Sequence, residues 1–197
     1  MFDVFISHDT SDYELALTIH GTLHKVGISA YIYELYPQYR KDISTAIRDV
    51  LKTCKVCLCL LTYNGVQSFW VHQELGAAYA FDRVVIPAVQ LGVDYKVKGF
   101  VQFRPHINYD PTNLERFTYD VIWALRNEVF GHQARLGLRL QCPNGHESNK
   151  YILPSTEEIN EIIQRRVQPG YISCFVFECD TCKTQFKVSP WTFEEVP

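Results

Sequence analysis

Over the first 110 residues, short apolar runs alternate with stretches of helical periodicity, the pattern of a parallel sheet covered on both faces. Phe2 to Ile6 reads as a core strand ending at Ser7-His8. Leu15, Ala16, Ile19, Leu23 and Val26 then make one apolar helix face, and Gly27 is placed to end that helix. Ile28 to Tyr33, β-branched and aromatic, predicts a second strand. After the loop around Pro37, apolar residues recur at helical spacing through Ile43, Ala46, Ile47, Val50 and Leu51. Val56 to Leu61 is continuously apolar, as expected of a central strand buried on both faces, and Asn64-Gly65 breaks it. Phe69 to Phe81 predicts a helix with Val71, Leu75 and Ala78 toward the core. Val84 to Val89 is a fourth strand and His106 to Tyr109 a shorter fifth. Pro111 then opens a last helix, with Phe117, Val121, Ile122 and Leu125 on its apolar face.

Near Gly131 the character changes, which divides the chain into a domain over 1–130 and a smaller unit over 131–197. Leu136 to Gln141 predicts a strand, Thr156 to Arg166 a helix, Tyr171 to Phe177 a strand and Phe186 to Val188 another. Neither an internal repeat nor a low-complexity linker separates the parts.

Strand–helix alternation of this kind fits a flavodoxin-like, doubly wound α/β fold of five parallel strands in the order 2-1-3-4-5. Ligands in that winding bind outside the carboxyl ends of strands 1 and 3, where the order reverses. Those ends carry Ser7-His8 and the loop from Thr62 to Trp70. In this loop Ser68 is placed to cap the following helix. Trp70 and Glu74 lie one turn apart, beside the core stripe. The helix macrodipole also favours an acid near a helix start, which offers Glu74 a purely structural origin.

Composition narrows the functional classes. With 47% apolar and 14% aromatic residues, the 197-residue chain can build a packed core and is not a disordered segment. A net charge of −3 gives no global basic field, so nucleic-acid binding is not supported. The opening residues do not read as a signal peptide, and no apolar run approaches the ~20 residues of a membrane span. A soluble, cytoplasmic protein is the expectation. The dinucleotide fingerprint Gly-x-Gly-x-x-Gly is absent, which argues against hydride transfer with NAD as cofactor.

Three segments, in order and at fitting separations, carry a family resemblance. Phe2-Asp3-Val4-Phe5-Ile6-Ser7-His8 resembles the first signature of TIR (Toll/interleukin receptor/resistance) domains. Trp70-Val71-His72-Gln73-Glu74-Leu75 resembles their tryptophan and glutamate segment, and Val85-Ile86-Pro87 the strand that follows. The resemblance implies the TIR fold and an NAD+ nucleosidase: a glycohydrolase or cyclase that releases nicotinamide and forms ADP-ribose or a cyclic ADP-ribose signal. It implies Glu74 as catalytic carboxylate, with Ser7, His8, Ser68 and Trp70 around the substrate. The family's aromatic position at the end of strand 2 falls on Tyr31, for which a core role is the competing reading. The segment after strand 2 departs from the family: Tyr33 stands at an often acidic position, Glu34 follows it, and Pro37-Gln38-Tyr39-Arg40-Lys41 lacks the usual Pro-Gly. By the same resemblance the protein self-associates through its TIR domain and acts in antiviral defence or immune signalling. The alternatives are a non-catalytic TIR scaffold or adaptor whose C-terminal unit recognises a protein partner, and a regulator that holds nucleotides without cleaving them.

Seven cysteines are unevenly placed. Cys54, Cys57 and Cys59 lie in or beside the central apolar run and read as small buried apolar residues. Cys142-Pro-Asn-Gly-His146 and Cys179-Asp-Thr-Cys182 each offer two ligands across a tight turn, the spacing of a structural Zn2+ site. The unit thus resembles a zinc-ribbon or treble-clef. Cys174 packs with Ile172 and Val176 on one strand face or replaces His146 as ligand, and His146 is the favoured choice.

Overall fold

The computed structural model describes residues 1–36, 42–93, 96–102, 104–130, 140–148, 174–189 and 195–196. The loop Pro37 to Lys41, the helix expected over Thr156 to Arg166, and most of the strand expected from Leu136 lie outside the described residues. The chain divides into two compact units, one of Met1–His24 with Ile28–Ala134, the other of Lys25–Gly27 with Arg135–Pro197.

In the first unit the elements run β1 (Val4–Ser7), α1 (Tyr13–Lys25), β2 (Ala30–Tyr31), α2 (Ile43–Leu51), β3 (Val56–Leu61), α3 (Phe69–Ala80), β4 (Val84–Gln90), β5 (Ile107–Tyr109) and α4 (Leu114–Phe130). The five strands form one parallel sheet in the order β2-β1-β3-β4-β5, the doubly wound arrangement expected from the sequence. All six residues of β3 are buried, which is why the run Val56–Leu61 carries no polar alternation. Cys57 and Cys59 point from this strand into the core beside Cys54, and all three thiols are inaccessible. Burial pushes Cys54 up to about 11 and Cys59 to about 12, so they stay neutral and act as small apolar side chains.

Helix ends follow local chemistry. Gly27, at φ +78°, supplies the left-handed residue that lets the chain leave α1. The Asp42 carboxylate accepts from the Thr45 backbone N–H at 2.8 Å and caps α2. At α4, Pro111 does not open the helix as expected. Asp110 accepts from Thr112 N–H, forming a turn, and Asn113 then accepts from Arg116 N–H and caps the helix. The second strand is also shorter than expected: Tyr33–Leu35 turn into a 3-10 helix, because Leu35 and Tyr36 N–H donate back to Ile32 and Tyr33 carbonyls.

The second unit contains, among its described residues, two antiparallel hairpins. One pairs β6 (Leu140–Gln141) with β7 (Glu147–Ser148); the other pairs β8 (Phe175–Glu178) with β9 (Gln185–Val188), and β10 (Glu195–Val196) adds to β9. Phe186 and Val188 alternate inward on β9, while Val176 on β8 is 62% exposed. Cys174 therefore does not share a buried face with Val176; it is partly exposed just before β8.

Candidate active site

The carboxyl end of β1, the turn after β2, α2 and the start of α3 wall a cavity of about 260 Å3. Ser7, the last residue of β1, is fully buried, and its hydroxyl donates to Glu74 Oε2 at 2.6 Å. This bond joins two residues 67 apart in sequence and fixes the carboxylate from α3 over the end of β1. Glu74 lies in the second turn of α3, with no acid in the first turn, so the macrodipole gives it little support. Desolvation is instead the dominant influence: it raises the Glu74 carboxyl to about 7, against the Ser7 hydrogen bond, which lowers it, with Glu34 adding a smaller upward push. A carboxyl raised to about 7 and partly buried in a cleft makes Glu74 a candidate functional group.

Other residues expected at the site divide clearly. His8, Ser68 and Trp70 line the cavity with Glu74, and Trp70 is half exposed at its mouth. The His8 ring spends Nδ1–H on the Ile6 carbonyl at 3.2 Å. That leaves Nε2 buried without a hydrogen bond, 3.5 Å from a Glu34 oxygen. Ser68 does not cap α3 through its side chain. It lies instead beside the Asp9 carboxylate, which Ser11 N–H chiefly, and the Ser68 and Ser11 hydroxyls after it, hold below the ordinary carboxylate range. Tyr31 lies elsewhere: it is fully buried, packs against Phe2, Phe5 and Tyr36, and does not line the cavity.

Two features of the site escape sequence reading. Glu34 enters the wall because the 3-10 turn Tyr33–Leu35 bends the chain at the end of β2, and it gives the cavity a second carboxylate. Asp12 accepts from Thr62 Oγ1 at 2.6 Å, which ties the turn after β1 to the loop after β3. The described lining residues include two carboxylates, Glu34 and Glu74, and the wall they form favours a neutral or cationic group. A second, largely apolar cavity of about 220 Å3 adjoins it between α2 and α3, sharing Ile47, Trp70 and Glu74. In the second unit, the donor atoms of Cys142, His146, Cys179 and Cys182 lie within 4.8 Å of one another and could hold a metal ion; Cys174 is not among them.

A parallel doubly wound sheet with a serine-held glutamate at its switch point defines the class, and the family model described as TIR domain matches residues 4–118. This chain belongs to the TIR domain family. The TIR domain of the Toll-related receptor TRR-2 from Hydra magnipapillata has a TM-score of 0.55 at 16% identity, over 64% of this chain and 100% of that one. A metazoan TIR-STING receptor from C. gigas, in complex with 2',3'-cGAMP, has a TM-score of 0.56 at 20% identity, over 64% of this chain and 39% of the receptor. At these identities the likeness is one of fold. No curated protein sequence matches the chain. Among the described residues no helix is long and apolar enough to cross a membrane.

Proposed function

We propose that the first unit cleaves the nicotinamide–ribose bond of NAD+, as a glycohydrolase or cyclase, with Glu74 as the catalytic carboxylate. The observation that carries this reading is the 2.6 Å bond from Ser7 to a poised, partly buried Glu74 in a cavity walled by two carboxylates. Nicotinamide departs from an already cationic ring and needs no proton from the protein. The carbon left behind is oxocarbenium-like, and a carboxylate held against the ribose stabilises that charge. Ser7 holds the Glu74 oxygen in place, and His8 and Glu34 wall the same cavity beside it. The new bond to the ribose carbon forms with water, whose proton goes to solvent, or with a group of the same nucleotide, which closes a ring. At about 260 Å3 the cavity is smaller than the roughly 300–1,000 Å3 of ordinary ligand pockets and has room for the reacting part of the dinucleotide, not the whole of it. The family resemblance extends the reading to self-association through this unit and to a cytoplasmic role in immune signalling or antiviral defence.

Concentrated protein incubated with NAD+ is expected to release nicotinamide, resolved chromatographically beside ADP-ribose and any cyclic product, and Glu74→Ala to release none. Tight NAD+ binding without turnover, in protein shown to assemble, would overturn the reading in favour of a nucleotide-holding regulator.

The raised carboxyl predicts the pH profile. Glu74 works ionised, so kcat/KM should rise through about pH 7 and level off above it. Bound NAD+ places a cationic ring beside the carboxylate and favours its ionised form, so the midpoint for kcat should lie at lower pH than that for kcat/KM. A flat profile from pH 5.5 to 8.5 would contradict this. Ser7→Ala removes the one bond that favours ionisation, and should move the rising limb of kcat/KM upward by about one pH unit, with activity recovering in alkaline buffer.

A further inference from the structure

We propose that Cys142, His146, Cys179 and Cys182 form a closed, four-coordinate zinc site, with Asn144 as the residue that couples its two halves. Each half is a hairpin turn shaped for the purpose. In the first, Cys142 N–H donates to the His146 carbonyl at 2.9 Å and Gly145 N–H to the Cys142 carbonyl at 2.8 Å, with Gly145 at φ +82°. In the second, Cys179 N–H donates to the Thr184 carbonyl at 3.0 Å and Lys183 N–H to the Cys179 carbonyl at 2.9 Å. Lys183 sits at φ +60°, a left-handed conformation that a lysine takes only where the turn demands it.

These turns bring the four donor atoms within 4.8 Å of one another. Cys142 Sγ lies 3.8 Å from Cys182 Sγ and 3.4 Å from His146 Nδ1. Tetrahedral zinc, with sulfur at about 2.3 Å and nitrogen at about 2.0–2.1 Å, sets sulfur pairs about 3.8 Å apart and sulfur–nitrogen pairs about 3.5 Å apart. Both separations fall at those values. Thiols buried merely as apolar groups give no reason for an imidazole nitrogen to converge on them.

Outer contacts point the same way. Asn144 leaves the first turn and donates through Nδ2 to Cys182 Sγ at 3.4 Å and Thr184 Oγ1 at 3.0 Å in the second. Thr184 Oγ1 is itself 3.3 Å from that sulfur. Donors around a sulfur stabilise the thiolate that binds metal and orient it. Three thiolates and an imidazole suit zinc and not a hard, oxygen-seeking cation. Protein fills all four positions, and Cys142 and Cys179 are buried, so the ion is structural and leaves no place for a reacting water. It would pin together two hairpins that carry few large buried apolar side chains among the described residues.

The test uses the full chain purified without chelator. About one zinc per chain is expected by elemental analysis. Cobalt(II) added to the reduced, zinc-stripped chain should give tetrahedral ligand-field bands and a sulfur-to-cobalt charge-transfer band, both lost on adding zinc. His146→Cys keeps four ligands and should strengthen the charge-transfer band by roughly a third, as three sulfurs become four. Asn144→Ala should weaken zinc retention against a competing chelator roughly 10–100-fold without changing the cobalt spectrum. Zinc far below one per chain together with no tetrahedral cobalt spectrum would overturn the site. An unaltered spectrum in His146→Cys would remove His146 from it, and undiminished retention in Asn144→Ala would remove the coupling role.

Discussion

Glutamine in place of Glu74 is expected to abolish nicotinamide release and, at the same time, to make the first unit harder to unfold above pH 7. The loss of activity follows from removing the negative charge that faces the oxocarbenium-like centre, and should reach about 10²–10⁴-fold in kcat. The gain in stability follows from linkage. The Glu74 carboxyl has an ordinary value of 4.5 and a folded value of about 7. Below pH 4.5 it is neutral in both states and costs nothing. Between 4.5 and 7 the unfolded chain loses its proton while the folded chain keeps it, so stability falls as pH rises. Above 7 the penalty is complete, on the order of 3 kcal/mol at most. Glutamine cannot ionise and still accepts from Ser7. The difference in unfolding free energy between mutant and parent should therefore be near its minimum at pH 4.5, grow to pH 7 and level off. Denaturant melts of both proteins at pH 5 and pH 8 measure it, and a mutant less stable than the parent at pH 8 would contradict the raised carboxyl.

Alanine at Gly65 should damage the site from a distance. A Cβ there would meet the Leu60 carbonyl oxygen well inside contact distance, with Leu60 C at 3.1 Å and Thr62 Oγ1 at 3.3 Å. Backbone at the end of β3 cannot yield as a flexible side chain would. Gly65 N–H also donates to Thr62 Oγ1 at 2.9 Å, and Thr62 in turn donates to Asp12. Displacing Gly65 therefore disturbs the loop that delivers Ser68, Trp70 and Glu74. A cost of about 2–4 kcal/mol and a fall in Tm of roughly 5–15 °C are expected. Gly76→Ala provides the contrast. Nothing lies within 4 Å of its Cβ position in α3, so alanine there should stabilise by about 0.5–1 kcal/mol. Thermal melts of the pair decide whether steric space or glycine itself matters at Gly65.

Much of the sheet could be read from the sequence because its signals are local. The six buried residues of β3 announce a central strand without reference to any neighbour, and the spacing from Ile43 to Leu51 announces α2. Glu74 was reachable by joining strand order to the carboxyl-end rule. What could not be read depends on partners remote in sequence or on competition between nearby ones. The Ser68 hydroxyl could accept from a backbone N–H of α3 or turn toward a carboxylate, and only the folded loop sets it beside Asp9. Glu34 comes to the cavity through a 3-10 turn that cut the second strand to two residues. The Asp12–Thr62 bond spans 50 residues and leaves no periodic trace.

The three thiols around β3 give the first unit an internal clock. Alkylating reagents attack thiolates, and in the folded chain Cys54, Cys57 and Cys59 are both out of reach and held neutral by burial. Their modification can proceed only through opening of the central strand. With a fast reagent the labelling rate measures how often that strand opens, and with a slow one it measures how much of the time it is open. Peptide mapping then separates this signal from that of the cysteines in the second unit, so each unit's unfolding can be timed in the intact protein.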